Sequence, residues 1–150
     1  MKITSPAFRE DEAIPVRYSC DGEDISPGLN WSGVPEGTQS FALINDDPDS
    51  PRGSTHWVIF NIPADSRRLA EAVPTELQLA SGALQGKNCF GNSGYGGPCP
   101  PRDVLHHYHF TLYALDQPLN LAAGATKEQL LNAMQGHTLA NAKLKGTFEH

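Results

Sequence analysis

The chain is organised around one stretch of sequence, Asp46-Asp47-Pro48-Asp49-Ser50-Pro51-Arg52-Gly53-Ser54-Thr55-His56-Trp57. Apolar runs precede and follow it, which predicts carboxylates and a histidine held at the ends of two core strands. Pro48 fixes its own φ and restricts Asp47 to extended conformations, so Asp47 and Asp49 have limited freedom. Asp-Pro and Ser-Pro pairs also initiate turns, and Arg52-Gly53-Ser54 is typical of a loop apex, so an ordinary hairpin connection is the alternative.

The totals are those of a globular protein with many loops. The 150 residues fit one domain, residues 1–150, and 14 Gly and 12 Pro indicate short elements. A formal net charge of −6 without a basic cluster argues against a nucleic acid partner. We also expect no stable membrane insertion, because no run of about 18 apolar residues occurs. The start of the sequence has no apolar signal-peptide core, so we expect a cytoplasmic location.

Three cysteines, Cys20, Cys89 and Cys99, occur without CxxC spacing. This odd set predicts neither a disulfide framework nor a cysteine zinc site. We expect a thiol at each position, with a Cys89–Cys99 bridge as the alternative.

Alternating apolar residues predict a mostly β fold. Phe41 and Leu43 of the segment 40–45 share one face, and Ala42 and Ile44 share the other, as in a strand covered on both sides. In the next strand, period 2 assigns one face to His56, Val58, Phe60 and Ile62.

A third alternating segment covers residues 106–115. His106 and Tyr108 project about 6.6 Å apart in the same direction, while His107 and His109 point away. Shorter segments at 14–18 and 29–31 are also typical of β-structure, and residues 139–148 predict a half-exposed closing strand. One helix is expected after residue 126, because Thr126 and Gln129 form a capping box and Gly136 can end the helix.

A glycine- and proline-rich segment covers residues 88–102. Glycine lets a backbone approach a ligand closely, and consecutive prolines hold an extended path, so this loop could present amides and carbonyls from a fixed wall. The same composition is typical of an unstructured connector.

Taken together, several motifs resemble the phosphatidylethanolamine-binding protein family, and in particular its bacterial Raf-kinase-inhibitor-like branch, the YbhB/YbcL group. The motifs are Asp47-Pro48-Asp49-Ser50-Pro51, His56-Trp57, Gly94-Tyr95-Gly96-Gly97-Pro98-Cys99-Pro100-Pro101 and His106-His107-Tyr108. The resemblance implies a mostly β fold, with two packed antiparallel sheets in Greek-key topology and one or two short helices.

The resemblance also implies a small pocket for phosphate-type head groups and other anions. Its ligand-binding residues would be Asp47, Asp49, His56, Gly97, Pro98, Pro100, Pro101, His106 and Tyr108. His107 departs from the family, whose members commonly carry arginine in a His-Arg-Tyr motif. We expect this position to face away from the pocket.

Two aspartates in an anion pocket require compensation, because like charges at close range repel. We expect Asp47 and Asp49 to hold His56 and His106 in their charged form, so that imidazole N–H groups donate to the anion. The alternative is that one aspartate carries a proton when the anion is bound.

The sequence therefore predicts a non-enzymatic protein that binds a small anionic or phosphorylated ligand. A role as a regulator or a kinase-inhibitor-like protein is part of this expectation. We expect no catalytic residue, cofactor or resident metal, and a monomer or a homodimer. One alternative is a metal-dependent hydrolase that uses Asp47, Asp49, His56 and His106 as ligands. Another is a module that recognises a phosphorylated side chain of a protein partner.

Overall fold

Two antiparallel sheets and one α-helix form the regular structure of the chain in this computed structural model, which describes residues 1–51 and 53–150. Arg52, at the predicted loop apex, lies outside the described residues. The elements are β1 (Lys2–Thr4), β2 (Leu29–Ser32), β3 (Ser40–Asp47), β4 (Ser54–Pro63), β5 (Arg68–Leu69), β6 (Leu84–Gln85), β7 (His106–Leu115), α1 (Lys127–Met134) and β8 (Thr138–Phe148). The prediction of a mostly β fold is confirmed.

The larger sheet has the strand order β6-β4-β3-β7-β8, and the smaller sheet has the order β1-β2-β5. Strands β3, β4 and β6 lie side by side, and β7 returns after a long connection to pair with β3. The resulting order β7-β3-β4-β6 is that of a Greek key. All named strand pairs are antiparallel.

Strand β3 is covered on both faces, as its sequence predicts. Phe41 and Leu43 pack in the larger core, which also receives Trp31 from the small sheet. Ala42 and Ile44 pack in a second core with residues of α1 and of the loop before it. The large sheet is therefore a middle layer, and its strand ends are fixed by packing from two sides.

Helix α1 begins as predicted. Thr126 accepts a hydrogen bond from the Gln129 backbone N–H at 3.2 Å, and the Gln129 side chain accepts one from the Thr126 backbone N–H at 3.0 Å. Gly136 follows the helix with φ of 79°, a conformation that glycine adopts without strain. Among the described residues, no helix is long and apolar enough to cross a membrane.

Strand β4 carries two extra residues opposite β3, and these bulges were not predicted. One lies near Asn61, which adopts φ of 53°. Beyond it, Ile62 packs in the larger core, whereas Val58 and Phe60 pack in the second core. The prediction that Ile62 shares a face with Val58 and Phe60 is therefore wrong, because the bulge reverses the alternation.

The predicted β-segment at 14–18 is also wrong. Residues Val16–Tyr18 form a short 3-10 helix, and Val16 is exposed. Pro15 precedes it with φ of −57°, which suits the start of a helical turn. Ile14 only donates one backbone hydrogen bond to Thr147 of β8, at 2.7 Å.

The expectation of three free thiols is wrong as well. Cys20 and Cys99 form a disulfide with Cα atoms 5.4 Å apart, while Cys89 is free and exposed. The two loops meet through other contacts too: the Cys20 N–H donates to the Pro98 carbonyl at 3.1 Å, and the Tyr95 hydroxyl donates to the Tyr18 carbonyl at 2.7 Å. Spacing along the chain carries no information about this pairing.

We predict that loss of this disulfide destabilises the protein substantially. The two cysteines are 79 residues apart, and a cross-link over a loop of this length constrains the unfolded chain strongly. Reduction, or the change Cys20→Ser, should lower the free energy of unfolding by about 2–4 kcal/mol in urea titrations followed by circular dichroism. Cys89→Ser is the matched control and should change it by less than about 0.5 kcal/mol. Equal unfolding midpoints for Cys20→Ser and wild type would contradict the expectation.

Candidate functional site

A cavity of about 410 Å³ lies at the edge of the large sheet where β3 ends and where β4 and β7 begin. These ends meet because β3 pairs antiparallel with both neighbours. The lining residues are Asp47, Asp49, Ser50, Pro51, Ser54, His56, Cys89, Phe90, Cys99, Pro100, Pro101, His106 and Tyr108. Distant parts of the chain thus contribute to one polar cavity.

The cavity contains most of the residues that the sequence singles out. Asp47, Asp49, His56, Pro100, Pro101, His106 and Tyr108 line it, whereas Gly97 and Pro98 do not. Sequence reasoning missed Cys89 and Phe90 as wall residues. Their nearness to the Asp-Pro stretch depends on the fold, so no local pattern could have indicated it.

His106 and Asp47 form a buried hydrogen-bonded pair. The distance from His106 Nδ1 to Asp47 Oδ2 is 2.6 Å, and the side chains are only 8% and 4% exposed. A carboxylate oxygen accepts, so Nδ1 carries the proton and Nε2 is the ring atom left for other contacts. This part of the expected arrangement is present.

His56 is held differently from the expectation. Its Nδ1–H donates to the Gly96 carbonyl at 2.7 Å, and no aspartate of the described residues is hydrogen-bonded to it. The ring meets Tyr108 and Phe90 edge-on, with centroids 5.3 and 5.5 Å apart. Burial lowers the pKa of His56, and the hydrogen bond to Gly96 and the charge of Asp47 only partly oppose this effect. Burial therefore favours the neutral form of His56.

A strand bulge turns His56 into the cavity. Asn45 pairs with Trp57 and Asp46 pairs with Thr55, so His56 is the extra residue of β4 at this point. His56 contacts Tyr108, and the neighbouring Trp57 contacts Tyr95, although strict alternation would place consecutive side chains on opposite faces.

Asp49 is held by His107, which the sequence predicted to face away from the pocket. The Asp49 carboxylate accepts from the side chain Nδ1 and from the backbone N–H of His107, each at 2.7 Å. These two hydrogen bonds lower the pKa of Asp49. His107 does not line the cavity, but it orients a residue that does. Asp49 and His107 are 58 residues apart in the sequence, so no local pattern indicates this pairing.

Tyr108 has the most unusual hydroxyl of the site. The side chain is fully buried, and among the described residues its hydroxyl has no hydrogen-bond partner. Burial raises the pKa of Tyr108, and the charge of Asp47 and the nearness of its carboxylate to the hydroxyl raise it further, so the hydroxyl keeps its proton. The Asp47 carboxylate nevertheless lies outside hydrogen-bonding geometry with this hydroxyl. A buried hydroxyl without a partner is costly, and Tyr108 lines a cavity that could hold a ligand atom to accept from it.

The glycine-rich loop serves mainly as a packed support. The Gly97 N–H donates to the Asp24 side chain at 2.7 Å, and a Cβ on Gly97 would lie 2.2 Å from the Tyr18 carbonyl oxygen. The Pro98 carbonyl accepts from Cys20. These contacts bind Gly97 and Pro98 to the segment 18–24. The two residues therefore hold the loop in place, although they do not line the cavity.

The predicted alternative metal ligands do not converge. Among the described residues, no three of Asp47, Asp49, His56 and His106 bring ligand atoms within 4.8 Å of one another. The Nδ1 atoms of both histidines are engaged in hydrogen bonds. The geometry thus favours hydrogen bonding over metal coordination in this cavity.

Comparisons with known proteins agree on one family. A family model described as phosphatidylethanolamine-binding protein matches residues 4–149. A UPF0098 protein from the archaeon Methanothermobacter thermautotrophicus is 54% identical and covers 99% of this chain and 98% of its own length. A UPF0098 protein from Chlamydia trachomatis is 44% identical and covers 99% of both chains. The relatives thus include archaeal as well as bacterial proteins.

Solved structures agree with the fold. The crystal structure of Escherichia coli YbcL, described as a new member of the mammalian PEBP family, matches with a TM-score of 0.92 and 34% sequence identity. The match covers 99% of this chain and 98% of the YbcL chain. A homologue from Chlamydia trachomatis, CT736, has a TM-score of 0.90 and 44% identity, with 99% and 97% covered.

We predict that Tyr108→Phe does not destabilise the ligand-free protein. The change removes a buried hydroxyl without a partner, so the free energy of unfolding should stay within about 0.5 kcal/mol or rise by up to about 1 kcal/mol. Tyr95→Phe is the matched control: its buried hydroxyl donates to the Tyr18 carbonyl, and its loss should cost about 1–3 kcal/mol. Equal losses in urea titrations of the two variants would show that the Tyr108 hydroxyl has a partner.

Proposed function

The chain belongs to the phosphatidylethanolamine-binding protein family, and we propose that its cavity binds a small phosphate-type anion, takes up a proton on binding and catalyses no reaction. The buried Tyr108 hydroxyl without a partner is the observation that carries this proposal. An oxygen of a phosphate group would accept its hydrogen bond and remove the cost of leaving it unpaired.

The two aspartates of the cavity do not oppose an anion as free carboxylates would. Asp47 accepts from His106 and from the Asp49 backbone N–H at 2.9 Å, and Asp49 accepts twice from His107. Both oxygens of Asp47 and Oδ2 of Asp49 are therefore engaged with donors of the protein itself. This arrangement reduces the repulsion that two carboxylates would otherwise impose on a phosphate.

The two cavity imidazoles determine what the site prefers. With Nδ1–H used internally, Nε2 of His56 and of His106 accepts hydrogen bonds in the neutral ring and donates them in the protonated ring. An anion beside His56 favours the charged imidazole, which burial disfavours. We therefore expect anion binding and protonation of His56 to support each other.

Part of the cavity lining is apolar. Pro100, Pro101 and Phe90 form this part. They would contact an organic group attached to the phosphate, as in a phosphomonoester, a phospholipid head group or a phosphorylated side chain. All three sources share the same phosphate chemistry, so each serves as a probe.

The hydroxyl groups near the cavity do not resemble an activated nucleophile. Ser54 donates to Ser50 at 2.8 Å, and His56 directs its Nδ1–H to a backbone carbonyl. Nucleophilic catalysis needs a hydroxyl bonded to a base that is itself oriented. This arrangement supports a binding role over hydrolysis, and the separated metal-type ligands of the cavity support it in the same way.

The test uses sulfate and phosphoethanolamine, titrated by NMR of the histidine side chains. Sulfate does not titrate near neutral pH, so any pH dependence of its affinity belongs to the protein. We expect micromolar to millimolar binding, with Tyr108→Phe weakening it by at least about tenfold, because the hydroxyl donates only to the ligand. Phosphoserine and phosphotyrosine peptides as further probes distinguish a protein-derived ligand from a small one. Unchanged binding of sulfate and phosphoethanolamine by Tyr108→Phe would overturn the proposal.

We further predict that sulfate affinity rises as the pH falls. Burial holds the pKa of His56 below its usual value of about 6.5, so binding must supply the energy to protonate it. Between pH 7.5 and 6 the affinity should increase, by at most about tenfold per pH unit for each proton taken up.

His56→Gln should reduce this pH slope. His109→Gln is the matched control: burial also lowers the pKa of His109, but this residue does not line the cavity. An equal loss of slope in both variants, or a flat profile for wild type, would contradict proton uptake at His56.

A further inference from the structure

A second group of metal-type ligands lies beside the cavity wall. Cys20 Sγ, Cys99 Sγ and a ring nitrogen of His150 all lie within 4.8 Å of one another. Thiolates and imidazole are the ligand types that zinc prefers in proteins. In the structure the two sulfur atoms are joined as a disulfide, so the group becomes a ligand set only after reduction.

The orientation of His150 is a second, independent observation. Its Nδ1 is hydrogen-bonded to the Asp21 carboxylate, which accepts, and the Phe148 ring packs edge-on against it at 5.6 Å. Although His150 is near the end of the sequence, its side chain is only 15% exposed. Nε2 of the neutral ring is thus left with its lone pair. In zinc sites a carboxylate commonly accepts from the histidine ring nitrogen that does not bind the metal, as Asp21 would here if Nε2 binds it.

We propose that the reduced protein binds one zinc ion through Cys20, Cys99 and His150. A dithiol or phosphine reductant supplies two electrons that cleave the Cys20–Cys99 bond, and two thiols form with two protons from solvent. Zinc then binds the two sulfurs as thiolates, and both protons are released. Water completes the four ligands.

The geometry needs only a small change. Zinc–sulfur bonds of about 2.3 Å in a tetrahedral site place the two sulfurs roughly 3.8 Å apart. Rotation about the Cα–Cβ bonds can supply this separation, since the Cα atoms are already 5.4 Å apart. Asp21 also brings a negative charge that favours a cation nearby.

The disulfide and the proposed zinc site would each link the same two loops. Cys99 lines the anion cavity, and Cys20 belongs to the loop that supports Gly97 and Pro98. A disulfide ties these loops together under oxidising conditions, and a zinc ion would do so where thiols are kept reduced. The protein would then keep its cavity wall anchored in either compartment.

The test titrates Co²⁺ as a spectroscopic probe into chain without a histidine tag, kept reduced by a phosphine under inert gas. Thiolate ligation gives a sulfur-to-cobalt charge-transfer band, which the Asp and His residues of the anion cavity cannot produce. We expect the band to saturate at one Co²⁺ per chain and to disappear when Zn²⁺ is added. Oxidised protein should not show it.

Variants assign the ligands. Cys20→Ser should abolish the band, whereas Cys89→Ser, the matched control, should retain it. Asp21→Asn leaves all three ligands in place and should weaken Co²⁺ affinity about 10–100-fold by removing the support of His150. Circular dichroism of each reduced variant verifies that it is folded under the conditions of the titration.

Three results would overturn the proposal: no charge-transfer band for reduced, folded wild type; a band that depends on Cys89 instead of Cys20; or affinity unchanged in both Asp21→Asn and His150→Gln. The zinc site does not rest on the proposed anion binding. Sulfate binding is followed by NMR signals of the cavity histidines, whereas cobalt binding is followed by a charge-transfer band from the cysteines. Failure of one experiment leaves the other intact.

Discussion

The buried hydrogen bond between His106 and Asp47 is the interaction on which the site depends. It joins the start of β7 to the end of the neighbouring strand β3. The two residues are 59 positions apart in the sequence. Removing one partner would leave the other as an uncompensated polar group in a buried place, a change that typically costs several kcal/mol. The same bond sets the tautomer of His106 and fixes one carboxylate oxygen. Cavity shape and cavity polarity therefore have a common origin in the pairing of β3 with β7.

The charge of the site follows from where each histidine finds its partner. His106 meets a carboxylate, whereas His56 meets a carbonyl oxygen that carries no full charge. Burial consequently dominates the pKa of His56, so a positive charge on this ring requires a proton that its surroundings disfavour. The expectation of two imidazoles held by two aspartates is thus half right. Asp49 pairs with His107 instead, outside the cavity lining.

Residue patterns predict those parts of the fold that depend on local periodicity. Alternation identified β3, β7 and β8, and a capping box identified α1, because each pattern reflects burial within one element. Features set by distant contacts were missed. The Cys20–Cys99 disulfide forms only because the fold brings the loop at residue 20 next to Pro98. The segment at 14–18 alternates like a strand, but it contains a 3-10 helix in which the apolar Val16 is exposed. The resemblance to known motifs, not periodicity, brought the Asp-Pro stretch together with the residues at 97–108.

The position of His56 as an extra residue within β4 affects how chains of this kind can vary in length. Loss of a single residue between Ser54 and Trp57 would restore regular pleating and rotate the imidazole to the side of the sheet where Val58 lies. Backbone pairing with β3 would survive such a deletion, but the cavity would lose the His56 imidazole. In an alignment, a gap inside this strand therefore carries more information about ligand chemistry than a longer gap in the turn before it.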